Sequence, residues 1–331
     1  MNVKPIKSIL AALLIMVAAI SWSCSDLEQE TQLSQDTEGA MTLVEVLKSI
    51  ENGVEEDGVE NARKNAGATY ATFNAALGSS GLASVFARNE LTVFAPTDAA
   101  FAALGLNPGN IRRQPNLKEI LLYHVVGGTV LSTDLRNGFV PTVNGAAVEI
   151  NLNDGAIVNN ANIVMVNKRA RNGVIHGIDQ VLLPPTQNIV EIALGADPEF
   201  TILVAAVQAA GFGNLLATTN NLTVFAPTNA AFGDLLDELG FPSLEALIDE
   251  DTGIGIAGLQ RVLAYHVFAG RVFSSDLSNT TIEMFSGDDL GIDISGPKLI
   301  DFREREAGIV ATDIQATNGV IHVIDKVILP F

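Results

Sequence analysis

NGVIHGIDQVLLP runs from Asn172 to Pro184, and NGVIHVIDKVILP runs from Asn318 to Pro330. A chain that writes nearly the same segment twice, each time with a histidine among apolar neighbours, has duplicated either a reactive centre or a strand. The apolar letters favour the strand. Val174, His176 and Ile178 share one parity, and residues of one parity in a strand face one side of a sheet. His176 therefore reads as part of a core wall, with His322 as its counterpart. An imidazole in such a wall is expected to spend its nitrogens on nearby backbone groups, because buried polar atoms are nearly always hydrogen-bonded.

Two further blocks repeat in the same order. LTVFAPTDAAF begins at Leu91 and LTVFAPTNAAF at Leu222, an offset of 131. Tyr123-His124-Val125 recurs as Tyr265-His266-Val267 at an offset of 142, and the first motif recurs at 146. A slowly growing offset marks a tandem duplication with loop insertions, most of the first increase falling around Gly240–Gly258. Upstream, ATYATFNAALGSSGL pairs with PEFTILVAAVQAAGF, and LVEV at Leu43 pairs with IVEI at Ile189. Asp197-Pro198 has the form of a helix start. The first copy alone carries extra acidic residues within KSIENGVEEDGVENARKNAGA, a loop expected to be mobile.

Each copy reads as helix, helix, strand, short helix, helix, then strands. LTVFAP is a short buried strand stopped by proline. LKEILLYHVV and LQRVLAYHVF read as apolar helices ending near glycine. VEINLNDGAIV alternates on both sides of Asp154-Gly155, a hairpin signal. Helices first and strands last imply an α+β domain with an antiparallel sheet.

The chain has 331 residues, 48% of them apolar, enough to fill two cores. Lys4 and Lys7 precede an apolar run from Ile9 to Ile20, the pattern of a secretory signal peptide. The run is short for a bilayer span. Cys24, the only cysteine, stands where a bacterial lipoprotein would be acylated; the alternative is a plain secreted protein with one free thiol. The organisation expected is signal peptide 1–23, acidic tether 24–40, first domain 41–184, linker 185–187 and second domain 188–331. CSDLEQE resembles the acidic signals that carry some bacterial lipoproteins to the outside of the cell. The expected location is the cell envelope, held by lipid at the outer membrane and facing outward. Removing Lys4 and Lys7 with the signal, which contains no acid, takes the formal charge from −19 to −21. Such a surface repels phosphate backbones and anionic lipid, which excludes nucleic acid as a partner. Contact with the membrane is expected through the anchor alone.

LTVFAPTDAAF, LLYHVVGGTVLSTDL and NGVIHGIDQVLLP resemble the three signature blocks of a fasciclin domain, in order. LTVFAPTNAAF, LAYHVFAGRVFSSDL and NGVIHVIDKVILP resemble them again. The resemblance implies two tandem domains, each a β-sandwich or wedge flanked by helices, with an extracellular role in adhesion. It further implies that bacterial members are secreted or lipid-anchored.

All four histidines lie in these blocks: His124, His176, His266 and His322. A zinc site takes three or four protein ligands, and the blocks repeat neither a cysteine nor a close second histidine, so no metal and no cofactor is expected. In animal fasciclin domains a Tyr-His pair among bulky apolar residues is linked to integrin binding. By that resemblance Tyr123, His124, Tyr265 and His266 are candidate ligand-binding residues, whereas the apolar flanks Leu121, Val125, Leu263 and Val267 point to burial. GIGIAG at Gly253–Gly258 fits a dinucleotide string but lacks a preceding strand and reads as a flexible loop. Acidic loops at Asp249 and Ser286 lack the full ligand set of a calcium loop. No nucleophile elbow or metalloprotease motif is present. The function expected is non-enzymatic cell-surface adhesion, with a protein or glycan of the surface or matrix as partner. The alternative is a small-molecule- or glycan-binding lipoprotein serving a transport system, and Trp22, the only tryptophan, leaves with the signal.

Overall fold

The computed structural model describes residues 41–51, 68–153, 155–196 and 198–331. The signal segment, Cys24, the tether and residues 52–67 of the acidic loop lie outside the described residues. So do Asp154 and Asp197. No described helix is long and apolar enough to cross a membrane.

The first domain contains α1 (Leu43–Ser49), α2 (Ala71–Ser80), α3 (Ala83–Arg88), β1 (Leu91–Pro96), α4 (Asp98–Ala103) and α5 (Leu117–Tyr123). There follow β2 (Val125–Gly127), β3 (Gly138–Pro141), β4 (Ala147–Asn151), β5 (Ile157–Val158), β6 (Ala161–Ala170) and β7 (Gly173–Ile178). The second domain repeats the plan with α6 (Ile189–Gly195), α7 (Thr201–Ala209), α8 (Gly213–Thr218), β8 (Leu222–Pro227), α9 (Asn229–Leu239), α10 (Leu244–Leu247) and α11 (Gly255–Tyr265). Its remaining strands are β9 (Val267–Phe268), β10 (Thr280–Glu283), β11 (Asp289–Asp293), β12 (Lys298–Ile300), β13 (Glu306–Ala316) and β14 (Gly319–Ile324).

Local chemistry starts these helices where it should. Thr42 with Glu45 and Asn188 with Glu191 form capping boxes at α1 and α6, each satisfying amides that a helix N-terminus leaves open. The β4–β5 hairpin forms with Ile150 opposite Val158. Asn229 Oδ1, far along the chain, accepts the Ile202 amide near the start of α7. Pro198 lies in the turn that precedes this helix.

Each domain holds a seven-stranded sheet, in the order β2-β1-β7-β6-β5-β4-β3 and β10-β11-β12-β13-β14-β8-β9. The α+β class holds, with one difference from a purely antiparallel sheet. β1 pairs with β7, and β8 with β14, in parallel. Parallel neighbours need a long crossover, and here nearly the whole domain supplies it. Every residue of these four strands is buried, as expected of strands covered on both faces.

Alternation divides β1 and β7 between two cores. Val93, Ala95 and Ile175 face the helices and meet Leu47, Phe73 and Phe86. Phe94 and Ile178 face the inside of the wedge with Tyr123, Val148 and Val158. A fully buried side chain of this size contributes about 2–3 kcal/mol relative to exposure. Register irregularities in β6 between Ile163 and Lys168, and in β13 between Ile309 and Ile314, bend the sheet so that its far strands fold over.

Two segments differ from their sequence reading. LKEILLYHVV and LQRVLAYHVF are helical only to Tyr123 and Tyr265; the histidine is the C-cap, and the β-branched Val125 and Val267 begin strands. GIGIAG is not a loop throughout. Gly255 opens α11, where the Glu250 carboxylate accepts the Ile256 amide.

The domains meet at a small seam. Phe139 on β3 stacks on Phe273 with ring centroids 4.2 Å apart and planes 8° from parallel. Gln315 on β13 grips Ala147 twice, its Oε1 accepting the Ala147 amide and its Nε2 donating to the Ala147 carbonyl, both at 3.0 Å. Ala147, Phe273 and Val320 are buried together in the seam.

Candidate functional site: the histidine brackets

His176 lies opposite Phe94 in the parallel pair, and the rings stack at 5.7 Å. Its Nε2 lies 2.9 Å from the Val130 carbonyl, and its Nδ1 accepts the Asn167 amide at 3.4 Å. A carbonyl only accepts and an amide only donates, so the ring is neutral and protonated on Nε2. His322 repeats the arrangement with Phe225, Val272 and Asp313. Asn167 and Asp313 adopt left-handed φ of 58° and 63° at the bends of β6 and β13. Their side chains reach on, Asn167 to Ser132 and Asp313 to Ser274. Each closing-strand histidine therefore ties a bent strand to the loop that leaves β2 or β9. Burial lowers the pKa of both rings, against an opposing hydrogen bond to the carbonyl.

His124 and His266 take the opposite tautomer. Nδ1 of His124 lies 2.8 Å from the Ile120 carbonyl, closing the end of α5, and Nε2 accepts the Leu182 amide at 2.9 Å. His266 bonds Val262 O and the Ile328 amide in the same way. Burial pushes both rings from 6.5 down to about 4, outweighing the carbonyl contacts that favour the proton. Tyr123 donates to Ala147 O at 2.8 Å and accepts from Asn159 Nδ2, while Tyr265 donates to Asp289 O at 2.6 Å. Burial raises Tyr265, with Asp301 adding to it, to about 12. Tyr123, His124, Tyr265 and His266 are each 3% exposed or less. The two pairs stand at corresponding places in separate domains. Each of the four imidazoles has both nitrogens engaged by backbone, so proton transfer or metal ligation would first have to break a bond of the fold.

A fasciclin-domain family model matches residues 68–184 and 198–330. This chain belongs to the fasciclin family. Transforming growth factor-beta-induced protein ig-h3 of Sus scrofa is 30% identical over 255 residues, covering 76% of this chain and 35% of that protein. The fasciclin chain thus spans about a third of that relative's length. The cell surface glycolipoprotein MPB83 of Mycobacterium bovis is 37% identical over 101 residues, 30% of this chain and 46% of that one. A solved FAS1 domain pair from the insect cell adhesion molecule Fasciclin I is 20% identical with a TM-score of 0.38, covering 78% of this chain and 95% of that chain.

Two bracket residues in each fasciclin domain escaped the sequence reading. Asn172 accepts the Leu43 amide at 2.9 Å and donates to Phe86 O and Asn89 O; it joins the start of α1, the end of α3 and the start of β7. Asn318 does the same with Ile189, Leu216 and Thr219. Asp98 accepts the Thr69 hydroxyl and the Ala71 and Thr72 amides, capping α2 from across the domain, as Asn229 caps α7. The available signal was a polar letter kept at the same place of two otherwise apolar motifs.

Among the described residues, no group of three or more His, Cys, Asp or Glu side chains is placed to hold a metal ion. In the acidic loops, Asp249 Oδ1 accepts the Asp251 and Thr252 amides and the Thr252 hydroxyl. Asp288 pairs with Arg261 at 2.7 Å. A cleft of about 260 Å³ opens beside the seam, where Phe94, Leu135, Arg136 and Phe139 face Ser275 and Asp276 of the second domain.

Proposed function

We propose that this protein is a non-enzymatic adhesion or interaction module of the cell surface, tethered through acylated Cys24, that presents two joined fasciclin domains to a protein or glycan of a surface, matrix or neighbouring cell. One observation carries the reading: all four imidazoles are buried with both nitrogens on backbone groups. The side chains best suited to chemistry are engaged inside the scaffold, which leaves the outer surfaces to meet a partner. The seam at Phe139–Phe273 supports presentation of the two domains as one unit. Many anchored copies then gain avidity from weak single contacts. MPB83 is a cell surface glycolipoprotein, and the likeness to it supports the location.

Deleting the gene is expected to reduce attachment or cell aggregation, and unchanged attachment across several surfaces counts against adhesion. Cys24→Ser is expected to move the protein from the membrane fraction to the soluble fraction; retention at the membrane counts against the anchor. Capture of partners from intact cells by the mature chain, with and without Tyr123→Phe and His124→Gln, separates folding from binding.

The cleft beside the seam favours a second reading, a glycan or small metabolite bound between aromatic and charged walls. A saturable rise in melting temperature with one sugar or metabolite class, lost on Arg136→Ala, would place that reading first.

A further inference from the structure

We infer that the second domain carries a binding site for a small, uncharged, ring-sized apolar molecule beneath α6 and α7. A cavity of about 80 Å³ lies there, its walls including Ala193, Leu203, Leu216, Leu263 and His266. It opens past Leu194, which is 53% exposed.

The first domain identifies what the space is shaped for. At the positions of Ala193, Leu203 and Leu216 in the repeat, it has Leu47, Phe73 and Phe86, all fully buried. Phe73 meets Phe86 edge-on at 6.4 Å and meets His124 edge-on at 6.3 Å. The second domain keeps the histidine, as His266, and has a smaller side chain at each of those three positions. The volume that two phenyl rings fill in one copy is thus under-filled in the other.

The entrance differs in the same sense. In the first domain Asn74 donates to Leu47 O at 2.7 Å and clasps α1 to α2. Val204 stands at that position in α7, and Leu194 replaces Lys48. The polar clasp gives way to an apolar lip.

The walls also set the ligand class. His266 is the titratable group facing the space, and its nitrogens are engaged by Val262 O and the Ile328 amide. Gln208, exposed at the rim, is the other polar side chain of the lining; deeper in, a hydroxyl or charge would lose its water and gain no partner. Apolar cavities lined in this way stay dry and accept small hydrocarbons. The inference is independent of adhesion.

Toluene titrated into the full mature chain tests it, followed by thermal unfolding of the second domain and by methyl chemical shifts, with phenol as the polar control. The expected result is saturable toluene binding, shifts centred on Leu203 and Leu216, and weaker binding of phenol. Leu203→Phe, Leu216→Phe or Ala193→Leu, which restore the first domain's residues, should each lower affinity about tenfold or more. Should one variant fail to fold, the other two and the wild-type methyl map still decide. No saturable binding, phenol binding as tightly as toluene, or full affinity in the folded filling variants would each overturn the site.

Discussion

The two domains repeat their hydrogen bonds more faithfully than their packing. Asn172 and Asn318 make the same three bonds, and the histidines keep their tautomers. Thr92 and Thr223 each donate to a glycine carbonyl and accept an amide from the same loop. Apolar volume moves freely by comparison. Tyr70 and Gly177 in the first domain stand where Phe200 and Val323 stand in the second, and Phe73 and Phe86 stand where there are leucines. The difference teaches which interactions specify this fold. A buried donor or acceptor that loses its partner costs its full desolvation, whereas a core tolerates exchange of side chains at similar total volume.

The largest expected effect tests the backbone part of that comparison. A Cβ on Gly173 would lie 1.8 Å from Leu91 O, and its φ is +147°. Leu91 is fixed in the parallel pair, so neither atom can move without breaking β1 from β7. Gly173→Ala is expected to remove about 4 kcal/mol or more from the first domain. Urea unfolding should then show an early first-domain transition beside a second-domain transition near its normal midpoint. Gly319→Ala, 2.3 Å from Leu222 O, should reverse the assignment. A loss below about 1 kcal/mol for either variant would mean that the parallel pairing is not as described.

Next in size is the acid response that the two domains share. His124 and His266 have folded pKa values depressed to about 4 from 6.5. A depressed group contributes stability that is complete above its unfolded pKa and is lost as pH falls through the folded one. Stability should therefore drop between about pH 6.5 and pH 4, by on the order of 3 kcal/mol for each histidine. His124→Gln should flatten this slope in the first domain only. If both domains keep equal slopes in that variant, His124 is not the group that titrates.

Much of this was legible in the sequence, for reasons that particular residues make plain. The six blocks fixed the duplication, and the parity of Val174, His176 and Ile178 placed the histidine in a core wall. The parallel pairing was not legible, because β1 and β7 look alike as apolar runs whichever direction they pair. Strand starts at Val125 and Val267 were hidden because their valines also continue the apolar stripe of the preceding helices. The seam through Phe139, Phe273 and Gln315 carries no motif at all; it exists only when the two domains meet. The long-range caps Asp98 and Asn229 were visible as letters but not as contacts, since each acts on a helix 27 residues earlier.

A smaller effect tests how volume is exchanged. A Cβ at Gly177 would fall 2.1 Å from the Tyr70 hydroxyl, the space that Val323 uses beside Phe200. Gly177→Val alone is expected to cost about 2 kcal/mol by overpacking. Adding Tyr70→Phe should recover at least about 1 kcal/mol of it, a coupling readable in a double-mutant cycle. Purely additive effects would mean that the pair is not exchanged as a unit.

The smallest expected effect concerns the one letter that separates LTVFAPTDAAF from LTVFAPTNAAF. Burial works to raise the Asp98 carboxyl, but hydrogen bonds from Thr69, Thr72 and Ala71 outweigh it and hold the pKa below the usual value. Asp98→Asn keeps one acceptor oxygen and turns the other into a donor, which faces the Ala71 amide and the Thr69 hydroxyl. In the second domain the side-chain NH2 is satisfied, because Asn229 Nδ2 donates to Thr201 Oγ1 and Pro198 O, whereas in the first domain Ala71 stands in the place of Thr201 and has no hydroxyl to accept it. The substitution should therefore cost about 1 kcal/mol at neutral pH, the usual size of a lost cap. A depressed carboxyl contributes its stability above the unfolded pKa and loses it as pH falls through the folded value. The gap between wild type and variant should accordingly stay constant down to about pH 4 and close below it, in a window beneath that of the histidines. A gap that persists unchanged to about pH 2 would show that the difference between the two copies lies in shape and not in the charge of the cap.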